Sequence, residues 1–134
     1  MSHALSPSVQ PLAPPLARRY ADVRAQTVAL AAPLSEADCQ VQSMADASPT
    51  KWHLAHITWF FETFVLERFE PDFKPHHPDF RVLFNSYYQG VGAQHPRAHR
   101  GLLSRPSLAT IKRYRTNVDE RMQALLARAE TNSE

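Results

Sequence analysis

A chain of 134 residues with 43% apolar content can build one domain with a core of its own, and leaves no room for a second. Its 15 Lys and Arg against 13 Asp and Glu leave a net charge of +2, with the signs interspersed, which argues against both a nucleic-acid stripe and a polybasic membrane patch. The single Cys39 excludes an internal disulfide, the N-terminus lacks a secretory pattern, and no apolar run nears the ~20 residues of a membrane span, Glu62 interrupting the one candidate; a cytoplasmic chain is expected.

Residues 1–13, rich in Pro, Ser and Ala, are expected to form a flexible arm, and 14–134 one helical domain. From Pro14 a first helix is predicted, with Leu16, Tyr20, Val23, Thr27 and Leu30 on one face and Pro33 as its stop. Ser35 to Cys39 reads as a short capped turn of helix. Ser48 and Pro49 have the chemistry of an N-cap and a first helical position, so a second helix should run from there to about Phe69, ahead of Pro71. Ser107 caps a third, which turns Leu108, Ile111, Tyr114, Val118, Met122 and Leu125 inward and leaves Lys112, Arg113, Arg115 and Glu120 largely outside. Between the last two lies a connection of roughly 37 residues, 70–106, far longer than the typical ~4–6 and therefore a candidate functional loop. It holds all three glycines, an aromatic stretch Phe84 to Tyr88 that could make a helical turn, and the donors His95, Arg97, His99 and Arg100. The fold class is all-α, and no strand pattern, repeat or phosphate loop is evident.

The second helix carries the most chemistry. At about 100° per residue, Lys51, Thr58 and Glu62 form a narrow polar stripe, and His53 and His56 fall roughly opposite it among Trp52, Phe60 and Phe64. Both imidazoles are therefore expected to face inward, either as neutral core residues bonded to protein groups or as metal ligands. A metal needs about three protein donors, and residues spaced i, i+3 supply two at most. Glu67 lies about 16 Å along the helix from His56 at 1.5 Å per residue, so a salt bridge suits it better than a shared metal. Cys39, His76 and His77 have no spacing that suggests a second metal site. The loop arginines read either as solvated charges or as a grip for a carboxylate.

Several motifs occur in order: Ser48-Pro-Thr-Lys-Trp-His-Leu-Ala-His56, Trp59-Phe-Phe-Glu-Thr63, Leu83-Phe-Asn-Ser-Tyr-Tyr88, Gly90-Val-Gly92, His95-Pro-Arg97 and Arg100-Gly-Leu-Leu-Ser-Arg-Pro106. Together they resemble the N-terminal region of ergothioneine-biosynthesis sulfoxide synthases, over most of residues 20 to 128. The resemblance implies a DinB-like up-down helical bundle, joined in that family to a C-terminal domain resembling formylglycine-generating enzymes. It also implies Fe(II) and dioxygen chemistry that couples hercynine to the thiol of cysteine or γ-glutamylcysteine as a sulfoxide. Of the family's three iron-binding histidines, His56 matches the one from the second helix. His53 falls where the family tolerates other polar residues, and is expected beside the ligand or as a structural residue. Arg97 and Arg100 resemble arginines suited to the carboxylate of the thiol substrate. The H-x-x-x-H pair of the family's fourth helix has no counterpart here, so the bundle is expected to be incomplete, three long helices plus the loop, truncated before the fourth.

With one ligand of three, this chain alone is not expected to bind iron tightly or to catalyse the family reaction, and no catalytic residue is assigned. The open helical face is expected to be covered by a downstream segment or by a second copy. Two other readings stand beside this one. The first is a stand-alone helical interaction module with packing histidines and no metal; the second is a DinB-like thiol transferase using another metal.

Overall fold

The computed structural model describes residues 15–85, 100 and 105–131; the expected arm, 1–13, lies outside them. Six helices occur among these residues: α1 (Leu16–Ala31), α2 (Glu36–Gln40), α3 (Thr50–Phe61), α4 (Glu67–Phe69), α5 (Phe80–Leu83) and α6 (Leu108–Thr131). A π-helical turn, Glu62–Leu66, joins α3 to α4, so the helix expected to end near Phe69 does so as one continuous rod. The only pairing of β type among the described residues is an isolated antiparallel bridge between Met44 and Ala47. No helix of the described residues is long and apolar enough to cross a membrane.

Local chemistry accounts for the helix ends. Ser35 accepts from the Asp38 amide while the Asp38 carboxylate accepts from the Ser35 amide, a reciprocal capping box that satisfies two orphan donors. Ser107 Oγ likewise accepts from the Thr110 amide at 3.2 Å. Ser48 does not cap α3. Pro49 occupies the N-cap with extended backbone and offers no side-chain cap bond, and Ser48 Oγ instead accepts from Arg100. The proline ring presets the backbone angle at the helix entry, and the hydroxyl is thereby released for a long-range bond.

Three long rods pack around one core. Tyr20 and Arg24 both reach Asp119, and Gln123 reaches the Ala17 carbonyl, so α1 runs antiparallel to α6. Arg24 also bonds Thr58 while Tyr20 packs on Phe61, so α1 is antiparallel to α3 as well. It follows that α3 and α6 point the same way. The return along this rod, about 30 Å for 20 helical residues, is made by the described residues 70–85, whose Arg81, Leu83 and Phe84 carbonyls lie against Trp59, Trp52 and His56. One turn of it is α5; it forms at Phe80–Leu83, ahead of the aromatic stretch where a turn was expected, and residues 86–88 lie outside the described ones.

The faces of α1 and α3 differ from expectation. Thr58 is 0% and Glu62 5% exposed, and Lys51 is buried too, whereas Phe60 is 38% and Phe64 37% exposed. The polar stripe of α3 thus faces the core and the phenylalanines do not. Helix α6 supplies the reason: Tyr114, Arg115 and Arg121 present polar groups that only the polar stripe can match, and a buried polar group without a partner costs about 1–3 kcal/mol. On α1 the core face is Ala17, Tyr20, Arg24 and Ala31, while Leu16, Val23 and Leu30 are exposed. On α6 the expected apolar face is buried, Ile111, Tyr114 and Val118 fully. Arg115, expected outside, is buried because its guanidinium binds the Leu54 and Arg24 carbonyls.

Candidate functional site

Trp52, His56 and Trp59 recur at i, i+4, i+7, which sets their rings one above another along α3. The imidazole stacks on Trp52 at 4.7 Å and 11° and on Trp59 at 5.4 Å and 17°. All three rings point a nitrogen at the same target. Trp59 Nε1 donates to the Arg81 carbonyl at 3.2 Å, Trp52 Nε1 to the Leu83 carbonyl at 2.8 Å, and His56 Nδ1 lies 2.6 Å from the Phe84 carbonyl. These carbonyls lie at the end of α5, and a helix leaves its last four carbonyls without intrahelical partners. The ring ladder supplies the missing donors and holds the start of the long connection.

A carbonyl can only accept, so Nδ1 of His56 carries the proton. In the neutral ring the lone pair is then on Nε2, the form in which imidazole ligates metals. Burial pushes the His56 pKa down, the Phe84 hydrogen bond opposes this, and His53 and Arg100 add to the lowering. The ring is thus neutral at physiological pH. Arg100 belongs to the same neighbourhood: it is 2% exposed, its guanidinium carbon sits 3.6 Å from the Trp52 ring centroid, and it donates to Ser48 Oγ at 2.7 Å and the Asn85 carbonyl at 3.2 Å. Its charge is inside the fold, contrary to a solvated loop. The aromatic face and the two oxygens together replace its hydration.

The other residues singled out in the sequence are more scattered. His53, expected inward, is exposed; it lines a shallow surface groove between α1 and α3 with Thr27, Leu30 and Ile57. Three residues along a helix from His56, it lies about 60° around it, on the side toward α1. Arg97 lies outside the described residues, as do His95 and His99, themselves four apart in sequence. Glu67 pairs with Arg81 at 2.5 Å. Among the described residues no three His, Cys, Asp or Glu side chains are grouped to hold a metal, so His56 is a single donor and these residues alone do not fit an iron ion.

Two polar clusters in the core were missed by sequence reasoning. Glu62 accepts from Tyr114 Oη at 2.6 Å and from the His76 amide at 2.8 Å, with Arg121 3.8 Å away. Burial and the Glu62 carboxylate push the Tyr114 pKa far up, so its hydroxyl stays a donor. The second cluster is Arg24, Thr58, Arg115 and Asp119. A polar stripe on an otherwise apolar helix is the available signal.

A family profile described as the DinB superfamily matches residues 19–133. No match was found among curated proteins.

Proposed function

The chain belongs to the DinB superfamily, and from that premise we propose that it is the N-terminal, DinB-like portion of a non-haem iron sulfoxide synthase of ergothioneine biosynthesis. In this reading His56 donates one of three imidazoles to Fe(II), and the remaining donors come from another segment or a second copy. Iron so held would supply the oxidative coupling of hercynine to cysteine or γ-glutamylcysteine; this chain's own share is to orient one imidazole, and it is inactive alone. The single observation that carries the reading is the Nδ1 bond of His56 to the Phe84 carbonyl at 2.6 Å, which fixes the tautomer and aims Nε2, as partners of metal-bound histidines do. Because Arg100 is engaged by Ser48, Asn85 and Trp52, we assign it to holding the loop against α3, and the substrate carboxylate to Arg97.

An apolar row supports a partner. Leu16, Val23 and Leu30 on α1, with Ile57 on α3, are exposed or half-exposed, the composition of a helix-binding face. The test is co-expression with a downstream segment that bears H-x-x-x-H and the C-terminal domain, followed by iron analysis and a sulfoxide assay. Iron is expected to appear only with that segment, and His56→Ala to lower it at least about tenfold. No gain in iron over the His56→Ala control would overturn the proposal.

A second reading has its own support. The stacking of His56 between two indoles, with Nδ1 satisfied, is also what a packing histidine does, and a helical interaction module would use the same apolar flank without metal. Under that reading His56→Gln leaves partner binding intact and metal never enters.

A further inference from the structure

The core between α1, α3 and α6 holds more positive charge than it neutralises. Arg24 and Arg115 are each 3% exposed, and the one carboxylate among them, Asp119, bonds Arg24 Nε at 2.7 Å and the Tyr20 hydroxyl at 2.8 Å. Thr58 and two backbone carbonyls, those of Leu54 and Arg24, absorb other donors, yet Arg24 Nη1 and Arg115 Nε are buried with no hydrogen-bond partner. A buried cation in this condition is costly and calls for an anion. Burial, and then the neighbouring charge of Arg24, pull the Arg115 pKa down to about 10, the response of a guanidinium short of negative charge.

Arg115 also lines a cleft of about 380 Å³ at the junction of α1, α2, α3 and α6, within the range of small-molecule sites. Its walls include Val28, Ala31, Leu34, Leu54 and Leu108, and exposed Lys112 adds a second cation. Buried Cys39 forms part of the wall, and burial raises its pKa, so it contributes a neutral, apolar surface. Leu54 and His56 are about 160° apart around α3, which separates this cleft from the imidazole ladder. The apolar walls offer few partners to water and do not suit a strongly hydrated polyanion.

We infer that this cleft binds a small aliphatic carboxylate, its charge against exposed Lys112 in the field of buried Arg115 and its chain along the α1 and α3 walls. The inference does not depend on the iron reading. Titration calorimetry of the full chain with sodium octanoate is expected to give saturable one-to-one binding. Binding of 1-octanol should be about tenfold weaker, since it lacks the charge-assisted bonds, and inorganic phosphate should not compete. Two substitutions at exposed lining positions test the location with helix content checked by circular dichroism: Val28→Trp fills the cleft and abolishes binding, and Lys112→Gln weakens it severalfold. Absence of octanoate binding, equal affinity for octanol, competition by phosphate, or undiminished affinity in both variants would each overturn the inference.

Discussion

Thr58 holds the central position among the polar residues of the core. Its hydroxyl accepts from Arg24 Nη2 at 2.5 Å and lies 3.4 Å from Arg115 Nη1, while it donates to the Leu54 carbonyl at 3.2 Å. Valine has nearly the same shape and none of these bonds, so Thr58→Val takes one acceptor from each of two buried guanidiniums. A loss of about 2–4 kcal/mol is expected in urea unfolding, against less than about 1 kcal/mol for Thr58→Ser, which keeps the oxygen. Equal losses for the two variants would assign the effect to packing. Arg24 and Arg115 could not be placed in this cluster from sequence, because arginine on an amphipathic helix is ordinarily a solvent-face residue and only the opposing Asp119 and Thr58 make burial tolerable.

At the scale of elements, the α3 rings and the one-turn helix α5 depend on each other. A four-residue helix has no stability of its own; its Leu83 and Phe84 amides bond to the Asp79 and Phe80 carbonyls, and its terminal carbonyls are held by the two indoles and His56. In a Trp52→Phe, Trp59→Phe variant both ring donors are lost with little change in apolar bulk. Amide exchange at Leu83 and Phe84 is expected to speed by at least about tenfold, equivalent to about 1.4 kcal/mol of local stability. Exchange at Val118, in the middle of α6, should change less; parallel acceleration at both sites would mean that the indoles serve global stability and not docking. The position of α3 was legible in the sequence, as were the capped turn of α2 and the Ser107 cap, because each rests on residues within a few positions of one another.

For the whole molecule, the division between core and flank makes a sharp contrast. Ile111 is fully buried, whereas Leu30 is 76% exposed. Ile111→Ala is expected to cost about 2–5 kcal/mol, while Leu16→Ser, Val23→Ser and Leu30→Ser should each stay within about 0.5 kcal/mol in the isolated chain. Thermal or urea unfolding of the four variants checks this, and a large loss from the α1 substitutions would show that this row is packed in solution. The row has the spacing of a buried stripe. What turns it outward is the match of Tyr20 and Arg24 to Asp119, which rotates α1 so that its small residues meet the core.

The sequence by itself determined the all-α class, the three long rods, the Ser35 and Ser107 caps, and an apolar interior face on α6, because periodicity and capping are properties of neighbouring residues. It also singled out the helix that carries His56. Only the tertiary structure decided which faces of α1 and α3 are inside, that α3 and α6 run parallel, and that His56 is oriented by the Phe84 carbonyl while His53 is exposed. Each of these depends on a hydrogen bond or charge pair between residues tens of positions apart, and the spacing of apolar residues along one helix carries no information about the polar groups another helix will bring to meet it.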